Sequence, residues 1–123
     1  MSDQIKRNVL IVDDDPTIRG IVRMQLKSAG ICLLEATDTA SALNILEGSG
    51  ADAVLCDIKL KNENGFDVFR EIRKVYPALP IIILTGFIEE EYYDTSKDLG
   101  VANLLIKPIR KEKLLEALEK VFI

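Results

Sequence analysis

The chain has no histidine among its 123 residues. Imidazole catalysis, a histidine-ligated zinc site and a phosphohistidine formed on this chain are therefore excluded. Its two cysteines, Cys32 and Cys56, make no disulfide framework. Only 7 Gly and 4 Pro accompany 48% hydrophobic and 29% charged residues. That balance excludes a disordered, collagenous or low-complexity chain. Long apolar runs are missing too. The run inside MSDQIKRNVLIVDDD is far too short for a signal peptide, and Ile81–Leu84 cannot span a bilayer. Positive charge is in short supply, with 16 Lys and Arg against 20 Asp and Glu and a net charge of −4. Such a surface suits neither a phosphate backbone nor an anionic membrane. These absences point to the cytoplasm, with no direct DNA binding and no membrane.

What remains is a chain of 13.7 kDa, the size of one domain over residues 1–123, with no internal repeat or linker. A domain this long buries roughly two-thirds of its unfolded surface and needs no disulfide or metal to fold. Five short apolar runs stand out: Asn8–Val12, Ile31–Ala36, Asp52–Cys56, Pro80–Leu84 and Val101–Ile106. Their β-branched residues and short length predict strands, and their near-continuous apolarity predicts strands covered on both faces.

A helical stretch follows each run. Asp15-Pro16 reads as a helix cap with proline in the first turn; Ile18, Ile21, Val22 and Leu26 form a stripe, and Gly30 ends it. Asp38 caps a second helix, through Leu43 and Leu46 to Gly48, and a third runs from about Phe66 through Phe69 and Ile72. The fourth is the weakest, with Glu89, Glu90 and Glu91 in its first turn and Ile88, Tyr92 and Leu99 as its apolar positions. The fifth places Leu114, Leu115, Leu118, Val121 and Phe122 on one face. Five strand–helix repeats predict a three-layer, doubly wound α/β domain with a five-stranded parallel sheet in the order 2-1-3-4-5 and five helices, the flavodoxin-like arrangement. That order separates Cys32 from Cys56 by two strand spacings, about 9–10 Å, too far to bridge; both are expected in the core.

Four of the runs end in polar residues. The first reaches Asp13 and Asp14, the third Asp57, the fourth Thr85 and the fifth Lys107-Pro108. Parallel strands bring these residues to one edge of the sheet, and the strand order reverses between the two strands that carry the aspartates. Clustered carboxylates repel one another until a cation arrives, and oxygen ligands suit a hard cation such as Mg²⁺. A lysine and a hydroxyl aimed at the same point suit a tetrahedral oxyanion. Together these parts describe a phosphoryl-transfer site built on positioning and charge neutralisation. Each feature taken singly is an ordinary cap or turn, and Asp15 is assigned that plain role.

With VLIVDDDP, AVLCDI, IIILTG and LLIKP in order at similar spacing, the chain resembles the receiver (CheY-like) domain of two-component response regulators, over roughly Val9 to Phe122. The resemblance implies that Asp57 is the phosphoacceptor, taking its phosphoryl group from a phosphohistidine on a sensor histidine kinase or a histidine phosphotransfer protein. It implies Mg²⁺ held by Asp14, Asp57 and the Lys59 carbonyl, with Asp13 acting mostly through a water. Lys107 then pairs with a phosphoryl oxygen, and Thr85 couples the phosphoryl group to the face of the fourth helix, fifth strand and fifth helix. Such a module is a signalling phosphoacceptor that catalyses only its own phosphorylation and dephosphorylation.

Several positions depart from the family pattern. Lys61 stands where proline is usual, which predicts a looser loop, while Gly65 is retained. Leu104 replaces an aromatic switch residue, and Ile109 follows Lys-Pro in place of phenylalanine. Lys59 and Phe87 occupy the positions that tune dephosphorylation, and neither activates water, so a shielding Phe87 predicts a long-lived phosphorylated form. The fifth helix reaches the end of the chain, which points to output by protein contact or phosphoryl shuttling. Tyr92, Tyr93 and Leu104 mark the output face, and both a monomer and a phosphorylation-dependent dimer fit.

A different chemistry also fits in part. Asp13 to Thr17 matches D-x-D-x-T of haloacid-dehalogenase-like phosphatases, with Asp13 as nucleophile, Asp15 as general acid, and Thr85 and Lys107 as later motifs. That family needs a further acidic cluster at a strand end, whereas Glu112, Glu116 and Glu119 lie at helical spacing. It also leaves Asp57 without a role. A nucleotide or flavin binder would need a glycine- or hydroxyl-rich phosphate loop where three acids stand. A receiver used only as an unphosphorylated docking module would not need all the chemical residues that are kept.

Overall fold

The computed structural model describes residues 6–86 and 90–122, with the backbone alone at 90–93. Strands and helices alternate: β1 (Asn8–Val12), α1 (Pro16–Lys27), β2 (Cys32–Ala36), α2 (Thr39–Leu46), β3 (Ala53–Asp57), α3 (Gly65–Val75), β4 (Ile81–Thr85), α4 (Glu90–Leu99), β5 (Asn103–Ile106) and α5 (Lys111–Val121). The strands of the sheet pair in parallel in the order β2-β1-β3-β4-β5, as the sequence predicts.

The two-residue period of a strand divides the apolar residues between two cores. Leu10, Val12, Val54, Cys56, Ile81 and Ile83 face α2 and α3, where Ala42, Leu46, Phe66, Val68, Phe69 and Ile72 cover them. Val9, Ile11, Ala53, Leu55, Ile82 and Leu84 face α1 and α5, which supply Val22, Leu26, Leu114, Ala117 and Leu118. The central strands are apolar at nearly every position because both of their faces are sealed.

Local signals set the helix boundaries. The Thr17 N–H donates to Asp15 Oδ1 at 2.9 Å, and Asp38 forms a reciprocal capping box with Ser41. Asn64 caps α3 by accepting from the Phe66 N–H at 2.7 Å, a cap that sits in a stretch without periodicity and escapes a sequence reading. Gly30 and Gly48 lie past the ends of α1 and α2 at φ of 75° and 87°, where a Cβ would be strained. β5 starts later than its apolar run suggests. Gly100 closes α4, and the Val101 N–H turns back to the Ser96 carbonyl, so Val101 belongs to the helix end.

Two core assignments need correction. Cys32 is exposed, because it opens the edge strand β2 at the open end of the sheet, whereas Cys56 is buried in β3 as expected. Ile21 is 44% exposed, since Val22 and Leu26, with Ile18 beside them, fill the narrow contact of α1 with the sheet. Phe87 and Glu89, and the side chains of Glu90, Glu91, Tyr92 and Tyr93, lie outside the described residues, as does Ile88.

Candidate functional site

The carboxyl ends of β1, β3, β4 and β5 converge as the strand endings require. Asp13, Asp57 and Thr85 are 0%, 5% and 1% exposed, unusual burial for acids at a sheet edge. Register accounts for it: Asp57 pairs with Leu84 and Thr85 with Ile106, so the polar residues close an apolar sheet without leaving it.

Each side chain is held by a separate contact. Asp13 Oδ1 accepts from the Asp15 N–H at 2.9 Å, and Asp13 Oδ2 lies 3.3 Å from Lys107 Nζ. The same ammonium stands 3.2 Å from Asp57 Oδ1. The Lys107 N–H donates to the Thr85 carbonyl at 2.7 Å, which fixes the backbone that carries the side chain. Asp14, half-buried, accepts from the Lys61 N–H at 2.6 Å. Lys59 is exposed, and its backbone supplies a hydrogen bond to Asp57. Leu104 is half-buried and packs against the core on the α3 side.

The electrostatics follow from the count of charges. Burial and then the neighbouring Asp13 raise the Asp57 pKa, with the Lys107 ammonium and the Lys59 hydrogen bond acting only as partial compensation. For Lys107, burial works to lower the pKa, but the Asp13 and Asp57 carboxylates outweigh it and raise it. One lysine therefore pairs with two carboxylates of a cluster of three. Oxygens of Asp13, Asp14 and Asp57 all lie within 4.8 Å of one another, so this donor set fits a hard divalent cation in number and chemistry.

The scaffold beneath is equally specific. A Cβ at Gly65 would overlap the Asp57 carbonyl and come within 2.6 Å of Ile58 Cα, so the start of α3 packs on the backbone of the acid itself. Cys56, next to Asp57, is buried with its thiol pKa pushed up by burial and then by Asp57, which makes it inert. Sequence reasoning passes over a supporting pair. Arg19 donates to the Asp13 carbonyl at 2.8 Å and to Glu35 at 3.0 Å, and Arg23 forks onto the same carboxylate. The available signal is Glu35 itself, a charge inside an apolar strand run. Burial works to raise its pKa, but the hydrogen bonds and charges of Arg23 and Arg19 together lower it.

The phosphatase alternative loses its general acid here. Asp15 spends its carboxylate on the Thr17 N–H and lies outside the cluster of Asp13, Asp14 and Asp57.

Comparison with known proteins agrees with this geometry. The model of the response regulator receiver domain matches residues 9–119. The transcriptional regulatory protein GlrR of Escherichia coli is 34% identical over 114 residues, covering 91% of this chain and 25% of that protein. ZraR of Salmonella typhimurium is 33% identical over 115 residues, 94% of this chain and 26% of the relative. The chain thus spans about a quarter of the length of these relatives. Among solved structures, the chemotaxis protein CheY4 of Vibrio cholerae superposes with a TM-score of 0.89 at 30% identity, covering 96% of this chain and all of that one. A CheY-like receiver domain from Methanospirillum hungatei gives 0.86 at 27% identity over 94% and 93% of the two chains. A match that runs from the first strand into the last helix, on a fold whose acids, threonine and lysine meet at one rim, shows that the chain belongs to the response regulator receiver domain family.

Proposed function

We propose that Asp57 accepts a phosphoryl group from a phosphohistidine on a sensor histidine kinase or a histidine phosphotransfer protein, in a two-component or phosphorelay system of the cytoplasm. The observation that carries this reading is the position of Asp57, at the end of a strand sealed on both faces, 3.2 Å from the Lys107 ammonium and clustered with Asp13 and Asp14. A carboxylate oxygen of Asp57 attacks phosphorus as the P–N bond breaks. The electron pair leaves with the imidazole nitrogen of the partner, which takes up a proton. Lys107 donates to one phosphoryl oxygen, and the Thr85 hydroxyl to another. Asp14 and Asp57, with the Lys59 carbonyl, would hold Mg²⁺, and Asp13 would act mostly through a water. The cation supplies neutralisation of the charge that the acids and the incoming group share.

The residues 1–123 act as one receiver unit that promotes only its own phosphorylation and dephosphorylation. Movement of Thr85 toward the phosphoryl group biases the α4–β5–α5 face, with Leu104 in place of a rotating ring. The test is incubation with acetyl phosphate and Mg²⁺, read by intact mass. A gain of one phosphoryl group that disappears with EDTA and in Asp57→Asn is the expected result. A gain that survives Asp57→Asn overturns the assignment.

A further inference from the structure

The β3–α3 loop, residues 58–64, borders the acid cluster and is tied down at two points. The Lys61 backbone N–H donates to Asp14 Oδ2 at 2.6 Å. Glu63 accepts from both the backbone N–H and the hydroxyl of Thr39, the first residue of α2. The first tie reaches one of the three clustered acids directly. One carboxylate oxygen of Asp14 lies within 4.8 Å of oxygens from Asp13 and Asp57 while Oδ2 accepts from Lys61, so the hydrogen bond and the convergence coexist.

The three acids differ in how they are held. Asp13 and Asp57 are buried and share the Lys107 ammonium. Asp14 is half-exposed, and the bond from Lys61 fixes a side chain that could otherwise turn toward water. Hydrogen bonds from outside a metal site orient the ligating groups and raise affinity by sparing the ordering cost at binding. Here the donor is main chain. Every residue type supplies it except proline, which has no N–H.

We propose that the Lys61 backbone N–H is the positioning group for Asp14: it holds that carboxylate toward Asp13 and Asp57, and so ties cation occupancy to the order of the β3–α3 loop. The inference rests on the reading of these acids as a Mg²⁺ site. The ammonium of Lys61 is not the agent. Linkage requires the converse as well, so Mg²⁺ must steady the loop that helps to bind it.

The test titrates Mg²⁺ by calorimetry into the parent, Lys61→Ala and Lys61→Pro proteins, and follows amide hydrogen exchange at residue 61 in the parent with and without Mg²⁺. Lys61→Ala is expected within about twofold of the parent, and Lys61→Pro about ten- to a hundredfold weaker than Lys61→Ala. The Lys61 amide is expected to be protected without the cation and slower still with it. Equal affinity of the two variants overturns the proposal. Tighter binding by Lys61→Pro also overturns it, because the N–H would then compete with the cation. If Lys61→Pro does not fold, the amide decides: exchange at the rate of an unstructured chain, indifferent to Mg²⁺, overturns the proposal. A parent that takes up no Mg²⁺ sinks the reading of the site itself and the inference with it, whereas failure of the inference alone leaves parental binding intact.

Discussion

The two ends of the sheet handle charge in opposite ways. At the amino end, Arg7 faces Asp52 across 3.8 Å, both side chains are partly exposed, and the guanidinium also rests on the Phe122 ring. The charges cancel there, and water is near. At the carboxyl end, Lys107 lies 3.3 and 3.2 Å from Asp13 and Asp57, and both acids are buried. Their charges do not cancel. The same strands build both ends, so an ion pair alone says little about function. Burial combined with unbalanced charge is the informative feature.

Substitutions that exchange these properties break the contrast most sharply. Asp57→Asn is expected to abolish phosphoryl uptake from acetyl phosphate, as read by intact mass, while Asp52→Asn leaves it unchanged. Gly65→Ala forces a methyl group into the Asp57 and Ile58 backbone, and is expected to cost about 2–4 kcal/mol in urea unfolding. Lys107→Ala leaves two buried acids without their shared cation and is expected to cost about 2–3 kcal/mol at neutral pH without Mg²⁺, much of it restored by Mg²⁺. Arg7→Ala at the other end should cost less than about 1 kcal/mol, as partly exposed pairs do.

Titration sharpens the same comparison. The folded protein raises the Asp57 pKa above 3.8, so it binds that proton more tightly than the unfolded chain does. Metal-free protein should therefore lose stability as pH rises from 3.8 through the folded pKa of Asp57. Melting curves across that window should show the loss in the parent and not in Asp57→Asn. Lys107 is a base with a raised pKa, so its contribution is complete below 10.5 and is lost as pH rises through its folded value. Lys107→Met should flatten the alkaline decline in stability.

Much of this site is legible in the sequence because a strand of five residues is a ruler. Once Asn8–Val12 and Ala53–Asp57 are strands, the meeting of Asp13, Asp14 and Asp57 follows from parallel pairing. Thr85 and Lys107 follow by the same step. Contacts that depend on the main chain or on an edge are not legible in this way. Cys32 belongs to an apolar run, and although the predicted order puts that strand at the margin, the run does not reveal that its first residue opens onto solvent. Lys61 in place of proline reads as slack, yet its N–H forms a bond that proline cannot make. Arg19 and Glu35 are sixteen residues apart, and only the packing of α1 beside β2 makes them neighbours.

The contrast between the cysteines has a practical outcome. Cys56 is sealed and its thiol resists ionisation, while Cys32 opens onto solvent at the amino end of its strand. A maleimide dye should therefore attach at a single place without any engineering, at the far pole of the molecule from the acids. Such a label would report tumbling or partner capture while leaving the chemistry unobstructed.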